Sequence, residues 1–153
     1  YLAYAELGAG GSSIVLQGNA PGTREVRREV PYEGVAVLTW SPKGDRLAVM
    51  SPPTAIRAPY GPIRLLDAET GDLTPLVDTS AVAFFWSPDG RFIAYLTPVQ
   101  SGGQQAGVTF QGVSTLSAAQ SPELELRVVD VASGDDRSLT TFTPTPLFLG
   151  QFL

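Results

Sequence analysis

Trp86-Ser87-Pro88-Asp89-Gly90-Arg91-Phe92-Ile93-Ala94-Tyr95 reads as a tight turn followed by an apolar strand, and its recurrence decides the fold. Ala83-Phe84-Phe85 precedes it, apolar throughout, as expected of a strand buried on both faces. Pro88 presets its own φ, Asp89 caps the turn through its side chain, and Gly90 accepts a positive φ. Phe92-Ile93-Ala94-Tyr95-Leu96 is the second strand of the hairpin.

The same text stands 46 residues earlier, as Trp40-Ser41-Pro42-Lys43-Gly44-Asp45-Arg46-Leu47-Ala48-Val49, with Lys43 in place of Asp89. Leu2-Ala3-Tyr4 aligns with Ile93-Ala94-Tyr95 close to two such periods away. A further element lies between the copies. Arg64-Leu65-Leu66-Asp67-Ala68-Glu69-Thr70-Gly71 aligns with Arg127-Val128-Val129-Asp130-Val131-Ala132-Ser133-Gly134, now 63 residues apart. The additional residues fall between Tyr95 and Arg127, where Gly, Ser and Gln dominate and loop composition is plain. Ile14-Val15-Leu16 is a weaker third copy. Asp67 and Asp130 recur with the repeat, so they are expected to satisfy backbone groups. Trp40 and Trp86 recur too and are expected to pack.

Each unit therefore reads as four antiparallel strands, the inner ones most apolar and the outer ones, near Leu73 to Val77 and Leu139 to Phe142, most polar. That gradient, repeated at blade spacing, predicts an all-β fold: a β-propeller of four-stranded antiparallel blades, about three of them present. A repeating sandwich does not account for a Trp-Ser-Pro-x-Gly turn at this period. The expected blades are 1–30, 35–77 and 81–142, the last with a loop insertion at 98–123. Residues 143–153 would begin a further blade or form a connection. The period also predicts a third Trp-Ser-Pro at 149–151, where the sequence has Leu149-Gly150-Gln151.

Trp-Ser-Pro-Asp-Gly followed by an apolar strand with Ala-Tyr resembles the repeat of TolB-like propellers, from Tyr1 to about Phe142. The resemblance implies a non-enzymatic scaffold of the periplasm, extracellular space or cell surface. Its partner would be a protein or peptide bound on the loop face. The same repeat occurs in the non-catalytic propeller of prolyl-oligopeptidase-family hydrolases. The alternative is thus a propeller portion whose catalytic domain lies outside this segment.

Composition narrows the chemistry. Hydrophobic residues make up 43% of the 153 residues, enough for a core, and 16 Gly with 13 Pro fit frequent turns. There is no Cys and no His, which excludes disulfides, thiolate or imidazole metal sites and a Ser-His-Asp triad within these residues. No Gly-x-Ser-x-Gly occurs. No cofactor and no catalytic activity are expected. The net charge of −5 disfavours nucleic acid and anionic membrane, and no run of 18 apolar residues would span a bilayer. Arg24, Arg27 and Arg28 interleave with Glu25 and Glu29, the pattern of a solvent face. Asp135 and Asp136 are expected as solvated charge on a hairpin tip.

Binding is expected on the non-repeated loops that join second to third strands, at 8–12, 51–62 and 98–123. Arg57 and Tyr60 stand in the middle loop, and both types are enriched in binding hot spots. Gln104, Gln105 and Phe110 stand in the long loop. Three blades cannot close a ring, and the resemblance implies six. A homodimer closing the propeller, with residues 147–153 completing the partner's first blade, is one expectation. A longer protein that supplies the remaining blades is the other.

Overall fold

The computed structural model describes residues 1–8, 11–18, 22, 25–29, 36–52, 60–99 and 123–144. These form eleven β-strands and, among the described residues, no helix. β1 (Leu2–Gly8), β2 (Gly11–Gln17) and β3 (Val26–Glu29) make a three-stranded sheet in that order. β4 (Val37–Trp40), β5 (Arg46–Met50), β6 (Gly61–Asp67) and β7 (Leu73–Ala81) make a second. β8 (Ala83–Trp86), β9 (Phe92–Pro98), β10 (Leu124–Asp130) and β11 (Asp136–Phe142) make a third. Every neighbouring pair is antiparallel, so each sheet is a meander, the pattern of propeller blades.

The repeated turns fold alike by different side chains. In the β8–β9 turn the Ser87 hydroxyl lies 2.6 Å from Asp89 Oδ1, and Asp89 Oδ1 accepts from the Arg91 N–H at 3.0 Å. In the β4–β5 turn position 43 is lysine, and Asp45 replaces the lost carboxylate, 2.6 Å from Ser41 Oγ. Gly44 and Gly90 hold φ of 71° and 69°, a left-handed conformation that side chains other than glycine's resist.

Side chains alternate across each strand, giving every sheet a leading face toward the sheet before it and a trailing face toward the sheet after it. Ile14 and Leu16 on the trailing face of the first sheet pack on Leu47, Val49 and Leu66, the leading face of the second. Ala48, Met50, Ile63 and Leu65, the trailing face of the second, pack on Phe84, Ile93, Tyr95 and Val129, the leading face of the third. Two core clusters thus lie between sheets, built from the same repeat positions, and a third, of Ala83, Leu96 and Leu124, lies on the trailing face of the third sheet.

Two expectations need correction. β8 was to be buried on both faces, yet Phe85 is 58% exposed, because it stands on the trailing face of the third sheet, away from the second. The outer strands are also longer: β7 continues to Ala81 and β11 begins at Asp136. Their length follows from backbone pairing with β6 and β10 and not from apolar pattern. Both pairings carry register shifts, irregularities that suit an edge strand.

Candidate binding surfaces

Asp67 closes the β6–β7 turn by accepting at Oδ1 from the N–H groups of Thr70 and Glu69, 2.8 and 2.9 Å away. Asp130 does the same for the β10–β11 turn, accepting from Ala132 at 2.9 Å and Ser133 at 3.2 Å. These donors favour the charged form and hold both carboxyls below the usual range, Thr70 foremost for Asp67 and Ala132 for Asp130. Asp130 also pairs with Arg91, at 3.2 Å. The two aspartates thus satisfy backbone groups, as their recurrence implied.

Between the second and third sheets runs a polar groove of about 490 Å³, bordered by Arg46, Asp67, Thr70, Asp72, Ser133 and Gly134. The corresponding place between the first and second sheets is crossed by Arg28. Its guanidinium donates to the Gly71 carbonyl and, at 3.2 Å, to that of Thr70, with the Asp72 carboxylate 3.7 Å away. Of the arginines read as a solvent face, Arg27 stays on the surface and pairs with Glu6 and Glu25, whereas Arg28 joins two sheets.

A charged network sits on the leading face of the third sheet. The Tyr95 hydroxyl donates to Asp136 Oδ2 at 2.6 Å, and Arg127 Nε donates to the same hydroxyl at 3.1 Å. Arg127 also pairs with Asp136 at 3.2 Å and with Glu125 at 3.0 Å. Burial, then the Asp136 carboxylate, pushes the Tyr95 phenol up. Burial works against the charge on Arg127, but its bonds to Tyr95, Glu125 and Asp136 prevail and raise it. Asp136 is exposed, as expected, but opens β11 tied to Tyr95 and Arg127, partners that sequence reading missed. The available signal was its position two residues past Gly134, opposite Val129 and diagonal to Arg127 on the same face of the hairpin. Arg127 pairs with Tyr95 on β9 and with Ser138 on β11, which places the three strands' polar side chains together.

Of the residues expected to bind a partner, Tyr60 is half-buried immediately before β6. Arg57, Gln104, Gln105 and Phe110 lie outside the described residues, as does the segment 147–153. No helix among the described residues is long and apolar enough to cross a membrane.

Trp40 and Trp86 are half-buried at the ends of their inner strands, each packed against the core of the junction it faces. On the opposite face of the third sheet, Phe85, Phe92, Ala94, Val128 and Arg137 surround a largely apolar groove of about 240 Å³.

No protein-family model matches the chain, and no curated protein matches it in sequence. Solved structures do. The chain superposes on the tricorn protease with a TM-score of 0.62 and 18% identity, over 90% of its own length and 12% of that chain. It superposes on the acylaminoacyl peptidase of Pyrococcus horikoshii with a TM-score of 0.58 and 15% identity, over 92% of its own length and 22% of that chain. Both neighbours contain β-propeller domains. At such identities the likeness is one of fold, and with the sheets described above it makes this chain part of a β-propeller. The chain spans only a minor share of either neighbour.

Proposed function

We propose that this chain is a non-catalytic propeller segment of a peptide-processing protein, one that receives or positions a protein or peptide chain. The bond-breaking groups would lie outside these 153 residues. The observation that carries this reading is the likeness of nine-tenths of the chain to two peptidases. The sequence supports the division of labour, since with no His and no Cys it offers neither a His-assisted serine nor a thiolate nucleophile. Peptide contact is assigned to the loops carrying Arg57, Tyr60, Gln104, Gln105 and Phe110. The test is the full reading frame, together with an assay of the purified chain. A hydrolase domain encoded beside the blades, with no turnover of peptide or ester substrates by the chain alone, is the expected result. Turnover by the 153-residue chain that survives rigorous purification would overturn the reading.

A second reading is a TolB-like scaffold of the periplasm or cell surface with no catalytic domain attached. It is favoured by the Trp86-Ser87-Pro88-Asp89-Gly90 turn and by the recurring Asp67 and Asp130 loops. A reading frame of blades alone, behind an export signal, would support it over the first.

A further inference from the structure

The β6–β7 and β10–β11 turns match bond for bond. Thr70, Gly71 and Asp72 align with Ser133, Gly134 and Asp135. In each turn the glycine N–H donates to the carbonyl of the aspartate that opens it, Asp67 at 2.9 Å and Asp130 at 2.8 Å. In each, the Thr70 or Ser133 hydroxyl accepts from the N–H of the last aspartate at 3.2 Å. Gly71 and Gly134 hold φ of 72° and 76°. The two turns therefore present the same carbonyls in the same geometry. What faces them differs. On the first, the Arg28 guanidinium from β3 bonds the Gly71 and Thr70 carbonyls, beside the Asp72 carboxylate. The second borders the groove of about 490 Å³, across from β7. β7 carries no Lys or Arg. Val77 pairs with Ile63 as Arg28 pairs with Ile14, and Val77 is buried in the core. Among the described residues, no side chain donates to the Ser133 or Gly134 carbonyl, and Asp135 makes no ion pair. Arg46 also borders the groove, but it stands opposite Asp67, which offsets its charge.

We propose that the groove between the second and third sheets binds the arginine side chain of a polypeptide partner, its guanidinium seated on the Ser133 and Gly134 carbonyls as Arg28 is seated on those of Thr70 and Gly71. The planar fork of a guanidinium reaches two neighbouring oxygens at once, which the point charge of a lysine does not. Both sheets of this junction have all four strands, and the contact that serves as precedent lies within the same chain. The turns lie at the other end of the strands from the loops 51–62 and 98–123, so the inference does not rest on the peptidase reading.

The test follows the amide NMR spectrum of the isotope-labelled chain while the blocked tripeptide acetyl-Ala-Arg-Ala-amide is added, with its lysine and citrulline counterparts in parallel. Lysine keeps the charge without the fork, and citrulline keeps a planar group without the charge. Saturable shifts at the Ser133, Gly134 and Asp135 amides are expected with the arginine peptide, and clearly weaker binding with the other two. Asp135→Asn should weaken the arginine peptide about two- to fivefold, as loss of an exposed ion pair does. Thr74 is exposed on β7 and borders the groove, so Thr74→Arg supplies a guanidinium from this chain and should abolish binding. The same spectra report whether each variant is folded. No saturable shift at the turn, equal binding of the lysine peptide, or undiminished binding by folded Thr74→Arg would overturn the proposal.

Discussion

The indole Nε1 of Trp86 donates to the carbonyl oxygen of Thr39, 3.1 Å away, tying the inner strand of the third sheet to that of the second. Its repeat counterpart Trp40 meets Tyr1, the residue just before β1, instead, the rings stacked at 6.5 Å between centroids and 26° between planes. One residue type at one repeat position thus joins consecutive sheets in two ways, by a polar bond and by ring contact. Trp86→Phe keeps the ring and removes the donor. It should lower stability by about 1 kcal/mol, the usual net worth of one hydrogen bond. Urea unfolding should show a lower midpoint with an unchanged slope.

Gly61 passes so close to the β5 end that an added Cβ would stand 2.0 Å from the Ser51 carbonyl oxygen. Gly44, by contrast, has open space and only its φ of 71° to defend. Gly61→Ala must move backbone and should cost about 3 kcal/mol or more, the upper end of overpacking. Gly44→Ala should cost about 1–2 kcal/mol, from left-handed strain alone. Comparing the two denaturation midpoints checks the order; equal effects, or a larger one at Gly44, would contradict the close approach.

Ser51 is fully buried, and its hydroxyl has no hydrogen-bond partner among the described residues. An unsatisfied buried hydroxyl carries a desolvation cost with no return. Ser51→Ala should therefore be neutral or stabilising. Ser87→Ala should destabilise, because Ser87 Oγ bonds Asp89 Oδ1 and accepts from the Phe92 N–H at 2.9 Å. Thermal melts of the two variants should move in different directions or by clearly different amounts.

Asp67 and Asp130 titrate below the usual carboxylate range in the folded chain. The unfolded chain thus binds protons first as pH falls, and the stabilisation from these carboxylates is full above the ordinary carboxylate value of about 4. It is lost as pH drops through their lowered folded values. Asp130→Asn should flatten the acid side of a stability-against-pH curve below the ordinary carboxylate value of about 4. A curve of unchanged steepness would show that the turn does not depend on the charge.

Tyr95 shows the opposite sign. Its phenol is raised, so its contribution is full below the ordinary phenol value of about 10 and is lost as pH rises through the folded value. Tyr95→Phe should remove this alkaline loss and, near neutral pH, cost about 1 kcal/mol from the bonds to Asp136 and Arg127. Ultraviolet titration of tyrosinate would follow it directly.

The blades were legible in the sequence because turns obey local rules. Pro88, Gly90 and Gly44 dictate backbone angles wherever they stand, and the repeat of Asp67 at Asp130 marks matching turns. The exposure of Phe85 was not legible: an apolar strand reads the same whether or not a neighbour covers it, since composition records an affinity and not its satisfaction. The replacement of Asp89 by Asp45 was hidden for a related reason. A carboxylate can reach the same serine from either side of the turn glycine, and spacing alone favours neither. Asp136 looked like surface charge because its partners, Tyr95 and Arg127, come from other strands. The loop residues chosen for partner contact rested on residue type only, and of them Tyr60 alone falls among the described residues.

The junction rule bears on how such a protein changes over time. Because Ile14 and Leu16 meet the second sheet as Ile63 and Leu65 meet the third, each blade is interchangeable at its borders. Duplicating one blade would create no new kind of interface, and deleting one would leave two surfaces already shaped for each other. Blade number is then a variable that unequal recombination can alter in a single event, while a point substitution at any one of these border positions must be accommodated by the face opposite.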